Sequence, residues 1–405
     1  MDTLNKPFYG AHFFYNFFSA PRLILFCLLL LPQVVWGAAA SGCDSPTTPS
    51  LPVSAYPLFD DDQDYALLNG AIERNIRYLL GLAKEREFGL CGENYRADWL
   101  IESQREFQRI VSANPGSAEL NRLIQDRFTV CQASGRLADR NIFITGYYEP
   151  FFEASLVKTS RFKFPLYKTP SDLVREPGAN GRVGRWQGGA LVPYWSRAQI
   201  ENENHLAGNE LVYLADPVEA FVLQVQGSGR VRLRDGSERS VQFAAKNGHE
   251  YRSIGRFLVD SGKMSLAEVT MPRIVEYLRA NPGERERVMH YNESFVFFRW
   301  GDAAASGPQG SIGEPLTAGR SVAMDHGCFP PGALAYVVTR KPKVNRQGEV
   351  VGWAPLSRFV LNQDTGSAIK GRGRLDLFWG RGIYAEAAAG NMKHPGQLFF
   401  LIKKK

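Results

Sequence analysis

The hydrophobic period of this chain changes near Asn141, and that change most narrows the folds open to it. Before it the pattern is helical. Ile72, Ile76, Leu79 and Leu80 share one face, Leu120, Leu123, Ile124 and Phe128 share another behind a Ser117 cap, and a third helix starts near Tyr95 with Leu100, Phe107 and Val111. Beyond Asn141 apolar residues recur at every second position. Phe221, Leu223 and Val225 alternate with Val222, Gln224 and Gln226, so that segment reads as a strand. Gly227-Ser228-Gly229 then breaks the run as a flexible turn, and Val231 and Leu233 alternate with Arg232 and Arg234 up to an Asp235-Gly236 hairpin turn. Ser265 with Glu268 forms a capping box, Asn281-Pro282-Gly283 stops the helix that follows, residues 295–300 return to strand, and 303–310 read as a small-residue linker. Residues 321–325, 333–339, 359–364 and 375–379 give a second β unit. With 39 glycines and 23 prolines supplying tight turns, the 405 residues suit barrels better than a helical bundle, and they suffice for two domains plus an N-terminal appendage. The expected class is mainly β with N-terminal helices.

Residues 1–42 read as a signal peptide. Arg22 precedes an apolar run at 23–31 that is too short to span a bilayer and has the size of a signal core. Ala40-Ser41-Gly42-Cys43 has the form of a bacterial lipobox with Ala40 in place of the usual Leu, which makes Cys43 the lipidation site; cleavage after Ala38-Ala39-Ala40 is the rival. Residues 43–58 would then be lipid anchor and tether, since 45–57 are rich in Ser, Thr and Pro. In an oxidising periplasm Cys91 and Cys131, flanking one helical hairpin, can bridge and leave Cys328 free; two buried free thiols are the alternative. No Cys-x-x-Cys or His-x-x-x-His spacing occurs, so neither metal nor cofactor is expected. The net charge of +7 and the Lys403-Lys404-Lys405 tail would attract an acidic polymer such as nucleic acid, anionic lipid or carboxylate-bearing cell wall; a solvated basic surface explains them equally.

Chemistry concentrates in Leu375-Asp376-Leu377-Phe378-Trp379. In a strand, Leu375, Leu377 and Trp379 face a core while Asp376 and Phe378 share the opposite face. A carboxyl beside an aromatic ring and partly shielded from water keeps its proton to higher pH, as a general acid needs. The plainer alternative is pairing with Arg372, Arg374 or Arg381. Asp364 and Asp325 each end a strand and can meet Asp376 there, or each can be a turn residue. Asp364-Thr365-Gly366-Ser367 is also an aspartic-protease signature, but it occurs once where that chemistry needs two. Gln224 and Gln226, leading into Gly227, Ser228 and Gly229, suit the hydroxyl and acetamido groups of sugars. Tyr147 and Tyr148 can stack on sugar rings, and Glu149 is the candidate second carboxylate of a two-carboxylate glycosidase.

Gly146-Tyr147-Tyr148-Glu149-Pro150, Val225-Gln226-Gly227-Ser228-Gly229, Tyr251-Arg252-Ser253-Ile254-Gly255, Asn292 to Phe298 and the block from Asp364 to Gly380 together resemble, in this order, the membrane-bound lytic murein transglycosylase A family. The C-terminal part resembles its three-aspartate (3D) domain, with Asp325, Asp364 and Asp376 at matching positions. The resemblance implies a double-psi β-barrel formed by residues 59–152 and 306–405, an inserted second β-barrel at 153–305 that binds substrate, and a groove between them. It further implies cleavage of peptidoglycan glycan strands between N-acetylmuramic acid and N-acetylglucosamine, leaving 1,6-anhydromuramoyl ends. Asp376 would be the one catalytic acid/base, supported by Asp364 and Asp325, with substrate contacts from the Gln226 and Ser228 region and Lys370. The expected location is the periplasm of a Gram-negative bacterium. There the family points to the outer membrane, whereas Asp44 after the cysteine is a residue type that signals inner-membrane retention. Proteins of wall synthesis or division are the expected partners, nucleic acid is not, and the rival functions are a non-catalytic peptidoglycan-binding lipoprotein and a hydrolysing muramidase.

Overall fold

The computed structural model describes residues 43, 46–135, 140–177, 181–301 and 307–405; the expected signal peptide lies outside them. Six strands close a barrel in the order Leu334–Val344, Val350–Asp364, Ser321–Ala323, Arg374–Phe378, Ile142–Tyr147, Lys393–Lys403 and back to Leu334–Val344. Two pairings are parallel, Ser321–Ala323 with Val350–Asp364 and Arg374–Phe378 with Ile142–Tyr147. Alternation explains the closure: Ile142, Ile144, Val337, Val360, Leu375, Leu377, Leu398 and Phe400 all project into one core. Outside it, helices Leu68–Leu80 and Ala97–Ser112 bury Ile72, Phe107 and Ile110 against Tyr336, Phe359 and Phe399.

The chain entering the barrel is held by charge. Asp61 accepts from Arg320 Nη1 and Nη2 at 2.7 and 2.8 Å, and both side chains are at most 1% exposed. Arg320 also donates to the Ala66 and Phe359 carbonyls, so each of its three guanidinium nitrogens has a partner. Next to it Asp62 takes Arg358 and Lys341, whose charges hold its carboxyl below the usual range against the burial that would raise it.

Between Tyr147 and Ser321 the chain builds a second body. Its sheet runs Val296–Trp300, Glu238–Lys246, Ser228–Arg232, Phe151–Ser155, Glu210–Leu214, Phe164–Tyr167. The two outermost strands meet through side chains, Tyr167 lying 6.2 Å from Phe295 within a core shared with Phe297, so the sheet curls on itself with one seam that no described backbone ladder fills. The Asp235-Gly236 turn forms as expected, with Gly236 at φ +85°.

Three expectations change. Residues 217–226 are not a strand but the helix Pro217–Gln226: Asp216 caps its N-terminus, Pro217 occupies the first turn, and Gly227 ends it in the left-handed region at φ +80°. The helix lies between two cores and buries residues on all sides, so its apolar pattern carries no helical period. Ser228-Gly229 consequently opens a strand instead of forming a loose turn. The segment expected to be a tether is docked: Thr48 N and Leu51 N donate to Gln132 O and Val130 O, adding an edge to strand Phe128–Gln132. Cys91–Cys131 is bonded, and Cys328 is not free but bonded to Cys43. A sulfur in that bond cannot also carry a lipid thioether, so the Cys43–Cys328 pairing and lipidation of Cys43 exclude one another.

Non-reducing peptide mapping of the purified protein should recover Cys43 and Cys328 in one cross-linked peptide; a lipid-bearing Cys43 peptide would contradict it. Asp61→Ala, which strands the buried Arg320 charge, should lower unfolding free energy by about 3–5 kcal/mol in urea denaturation.

Candidate active site

Strand Arg374–Phe378 runs parallel to Ile142–Tyr147 with Asp376 opposite Thr145 and Phe378 opposite Tyr147. On the other side Asp376 pairs with Ala323. Leu375 and Leu377 fill the barrel core, which turns Asp376 outward toward the second body, as the alternation predicts. The side chain of Asp376 is 20% exposed, and its Oδ1 is enclosed and accepts no hydrogen bond from the described residues. Arg374 stands 3.7 Å away, held by donating to Thr145 Oγ1 at 3.1 Å and lying over the Phe143 ring. Burial pushes the Asp376 carboxyl up to about 6; Arg374 pulls the other way and the Asp364 carboxylate adds to the rise. The Arg374 pairing is thus present but loose, and desolvation outweighs it.

Asp364 is a differently wired acid. It accepts from Tyr147 Oη at 3.0 Å and from the Ser311 backbone at 3.0 Å; burial raises its pKa while these hydrogen bonds restrain the rise. Burial and the two aspartates keep the Tyr147 phenol protonated, a donor at any working pH. Its ring sits 5.2 Å from Phe378, so the phenyl face beside Asp376 is continuous. Gly146 is required here: a Cβ would lie 2.6 Å from Trp379 Nε1 and 3.0 Å from Ala389 Cα.

The other expected residues divide. Asp325 serves a turn, accepting from Gly327 N and Gly371 N, and is not among the charges acting on Asp376. Tyr148 points away from the aspartates, bonded to Glu386 at a cavity of about 530 Å³ lined also by Phe152, Val222 and Met271. Glu149 is 4% exposed, paired with Arg230 at 3.4 Å, with burial raising its carboxyl, and it too is absent from the charges acting on Asp376. Gln226 accepts from Tyr148 N at 3.1 Å and so fixes the backbone where the chain leaves the barrel. Gln224, two residues away on the helix, is buried with Oε1 unpartnered, and the two amides do not share a face. Gly229 packs against Leu223 and Pro150, with no room for a Cβ. Lys370 is exposed in the loop between Asp364 and Asp376.

One participant escaped the sequence reading. Tyr251, just ahead of the Ser253-capped helix Ile254–Asp260 in the second body, lies close enough for Asp376 to raise and Arg374 to lower its phenol pKa, which burial raises most. It lies in a motif already singled out, but nothing local pairs it with a strand more than a hundred residues downstream.

A barrel carboxyl that is desolvated, only 20% exposed and coupled to Tyr251 of the inserted body is a candidate acid/base. Residues 143–299 match the family model described as the MltA specific insert domain, and 320–402 match the 3D domain. The membrane-bound lytic murein transglycosylase A of Vibrio cholerae is 31% identical over 282 residues, 69% of this chain and 70% of that protein. The Escherichia coli enzyme is 30% identical over 263 residues, 64% of this chain and 66% of its own length. The crystal structure of the membrane-bound lytic murein transglycosylase from Agrobacterium tumefaciens superposes with a TM-score of 0.71 at 25% identity, covering 88% of this chain and 97% of that one. The chain belongs to the membrane-bound lytic murein transglycosylase A family of peptidoglycan-degrading enzymes.

The raised pKa of Asp376 has a thermodynamic signature. The folded state holds this proton more tightly than the unfolded state, so stability is lost as pH rises from about 4 to about 6 and stays lost above. Asp376→Asn should therefore be more stable than wild type at pH 7.5 by about 1–3 kcal/mol in urea denaturation, with the difference vanishing near pH 4.

Proposed function

We propose that this chain cleaves the β-1,4 bond between N-acetylmuramic acid and N-acetylglucosamine in peptidoglycan and leaves 1,6-anhydromuramoyl ends, with Asp376 as the single acid/base. The observation carrying this reading is a desolvated carboxyl whose enclosed Oδ1 has no hydrogen-bond partner among the described residues. Protonated Asp376 gives its proton to the bridging oxygen as the muramic C1–O bond breaks, freeing the N-acetylglucosamine O4 hydroxyl and leaving oxocarbenium character at C1. The resulting carboxylate takes the proton of the C6 hydroxyl while O6 bonds to C1, which closes the anhydro ring and restores the acid. No water is consumed, and the intramolecular nucleophile has a high effective concentration without a second carboxylate to activate it. The Asp364 carboxylate and the Tyr147 hydroxyl beside it supply charge and a fixed dipole as positive character develops on the sugar.

Glu149, sealed against Arg230, is poorly placed to be the base of a hydrolysing muramidase. We infer a periplasmic setting, which the Cys91–Cys131 and Cys43–Cys328 bonds suit as an oxidising compartment. Among the described residues no helix is long and apolar enough to cross a membrane. Lipid attachment at Cys43, and with it outer-membrane anchoring, would need chains in which the Cys43–Cys328 bond is absent.

Incubation with purified sacculi and mass analysis of the products tests the reading. Wild type should release muropeptides lighter by one water than a hydrolase's. Asp376→Asn should lose about 10³-fold or more in rate while still binding sacculi, and Glu149→Gln should keep the anhydro product. The rate should fall as pH rises through about 6, where Asp376 loses its proton. Hydrated ends, or full turnover by Asp376→Asn, would refute it.

A further inference from the structure

A cluster of cations stands at the barrel loop that follows Asp364 and has no part in the proton transfers. Lys246 ends strand Glu238–Lys246 of the inserted body, opposite Val296, and its Nζ reaches Ser367 Oγ of the barrel at 3.5 Å. Ser367 belongs to the loop that begins at Asp364 and carries Lys370 three residues on. From the other side, Arg175 pairs with Val183, and Val183 packs on Gly248, two residues past Lys246. Three cations from three separate segments therefore converge where the inserted body meets the barrel loop that follows Asp364. Lys246 is half-buried, and burial with the neighbouring Lys370 and Arg175 charges disfavours its ammonium form, Glu250 acting the other way. Gathering like charges at a partly dry seam costs folding free energy, and a site that persists despite that cost is matched to an anion that relieves it. Glu250 is the one acid among the charges acting on Lys246 and it does not offset the burial and the two cations, while Asp364 is occupied by Tyr147 and Ser311 and Asp325 by backbone amides.

We propose that Lys246, Arg175 and Lys370 form a carboxylate-recognition subsite that holds an anionic group of the glycan strand beside the cleavage point. This rests on the peptidoglycan reading above and narrows it: the enzyme selects strands by negative charge as well as by sugar. Peptidoglycan offers that charge from two sources, the carboxylates of the stem peptides and the lactyl carboxylate exposed on muramic acid when the peptide is removed.

Binding to the Asp376→Asn protein, which cannot turn over, separates the possibilities. The probes are intact sacculi, amidase-stripped glycan strands and neutral chitohexaose, each with and without Lys246→Met, and separately Arg175→Gln, as the second change. The expected result is about a three- to tenfold loss of affinity for one or both anionic probes, eased by salt in the unsubstituted protein, with chitohexaose unchanged. Loss on sacculi alone assigns the stem peptide, loss on stripped strands alone assigns the lactyl group, and loss on both assigns either carboxylate. Equal loss on chitohexaose, no loss on any probe, or no binding of the anionic probes would overturn the proposal. The product assay on wild type is independent: anhydro ends with unaltered binding would sink the subsite and spare the mechanism, and the reverse pattern would do the opposite.

Discussion

Everything at the cleft depends on one parallel ladder. Strands Ile142–Tyr147 and Arg374–Phe378 are more than two hundred residues apart in sequence, yet their register sets Thr145 against Asp376 and Tyr147 against Phe378. Parallel pairing cannot be made by a tight turn; it needs a long crossover, and here the crossover contains the whole inserted body. The same strand that supports the acid is thus the one from which the chain departs, with Gln226 fastening the point of departure. Around this ladder the barrel provides stiffness. It closes without a free edge on its working side, and the Asp61–Arg320 pair clamps the entering chain to the strand junction behind it.

Two carboxyls a short distance apart receive opposite treatment. Asp364 is given donors, the Tyr147 hydroxyl and the Ser311 amide, while Asp376 is given a shielded wall and one distant guanidinium. Burial raises both, but the donors to Asp364 restrain its rise while Asp376 has none among the described residues, so the two acids are not equivalent carriers of a proton. Arg374 sets the limit on that division. Were it in direct contact, Asp376 would be held ionised; at 3.7 Å and tied to Thr145, it tempers a rise that burial has already won.

What could be read from the chain follows where the physics is local. The β strand of Asp376 was legible because one of its faces is core and the other cleft, which imprints a period of two. Helix Pro217–Gln226 was not, since a helix buried on every side leaves no stripe; its Asp216-Pro217 start and Gly227 stop were the only signals, and a chance alternation of apolar residues outweighed them. The docking of residues 46–51 was equally hidden. It relies on backbone hydrogen bonds to Phe128–Gln132 and a bond to Cys328, none of which composition records. Tyr251 and Lys246 reach the site only through the tertiary fold, and a single sequence holds no trace of that proximity.

Gly146 gives the cleft an asymmetry in how freely it can change. With the Trp379 indole and Ala389 already at contact distance, no side chain can be grown at that position, and the neighbouring barrel wall is locked by packing from behind. The inserted side reaches the site with Lys246 at a strand end and Tyr251 just ahead of a helix. Of the two surfaces between which a polymer would lie, one is therefore cast and the other can drift, and divergence among such proteins in what they grip should accumulate on the inserted side.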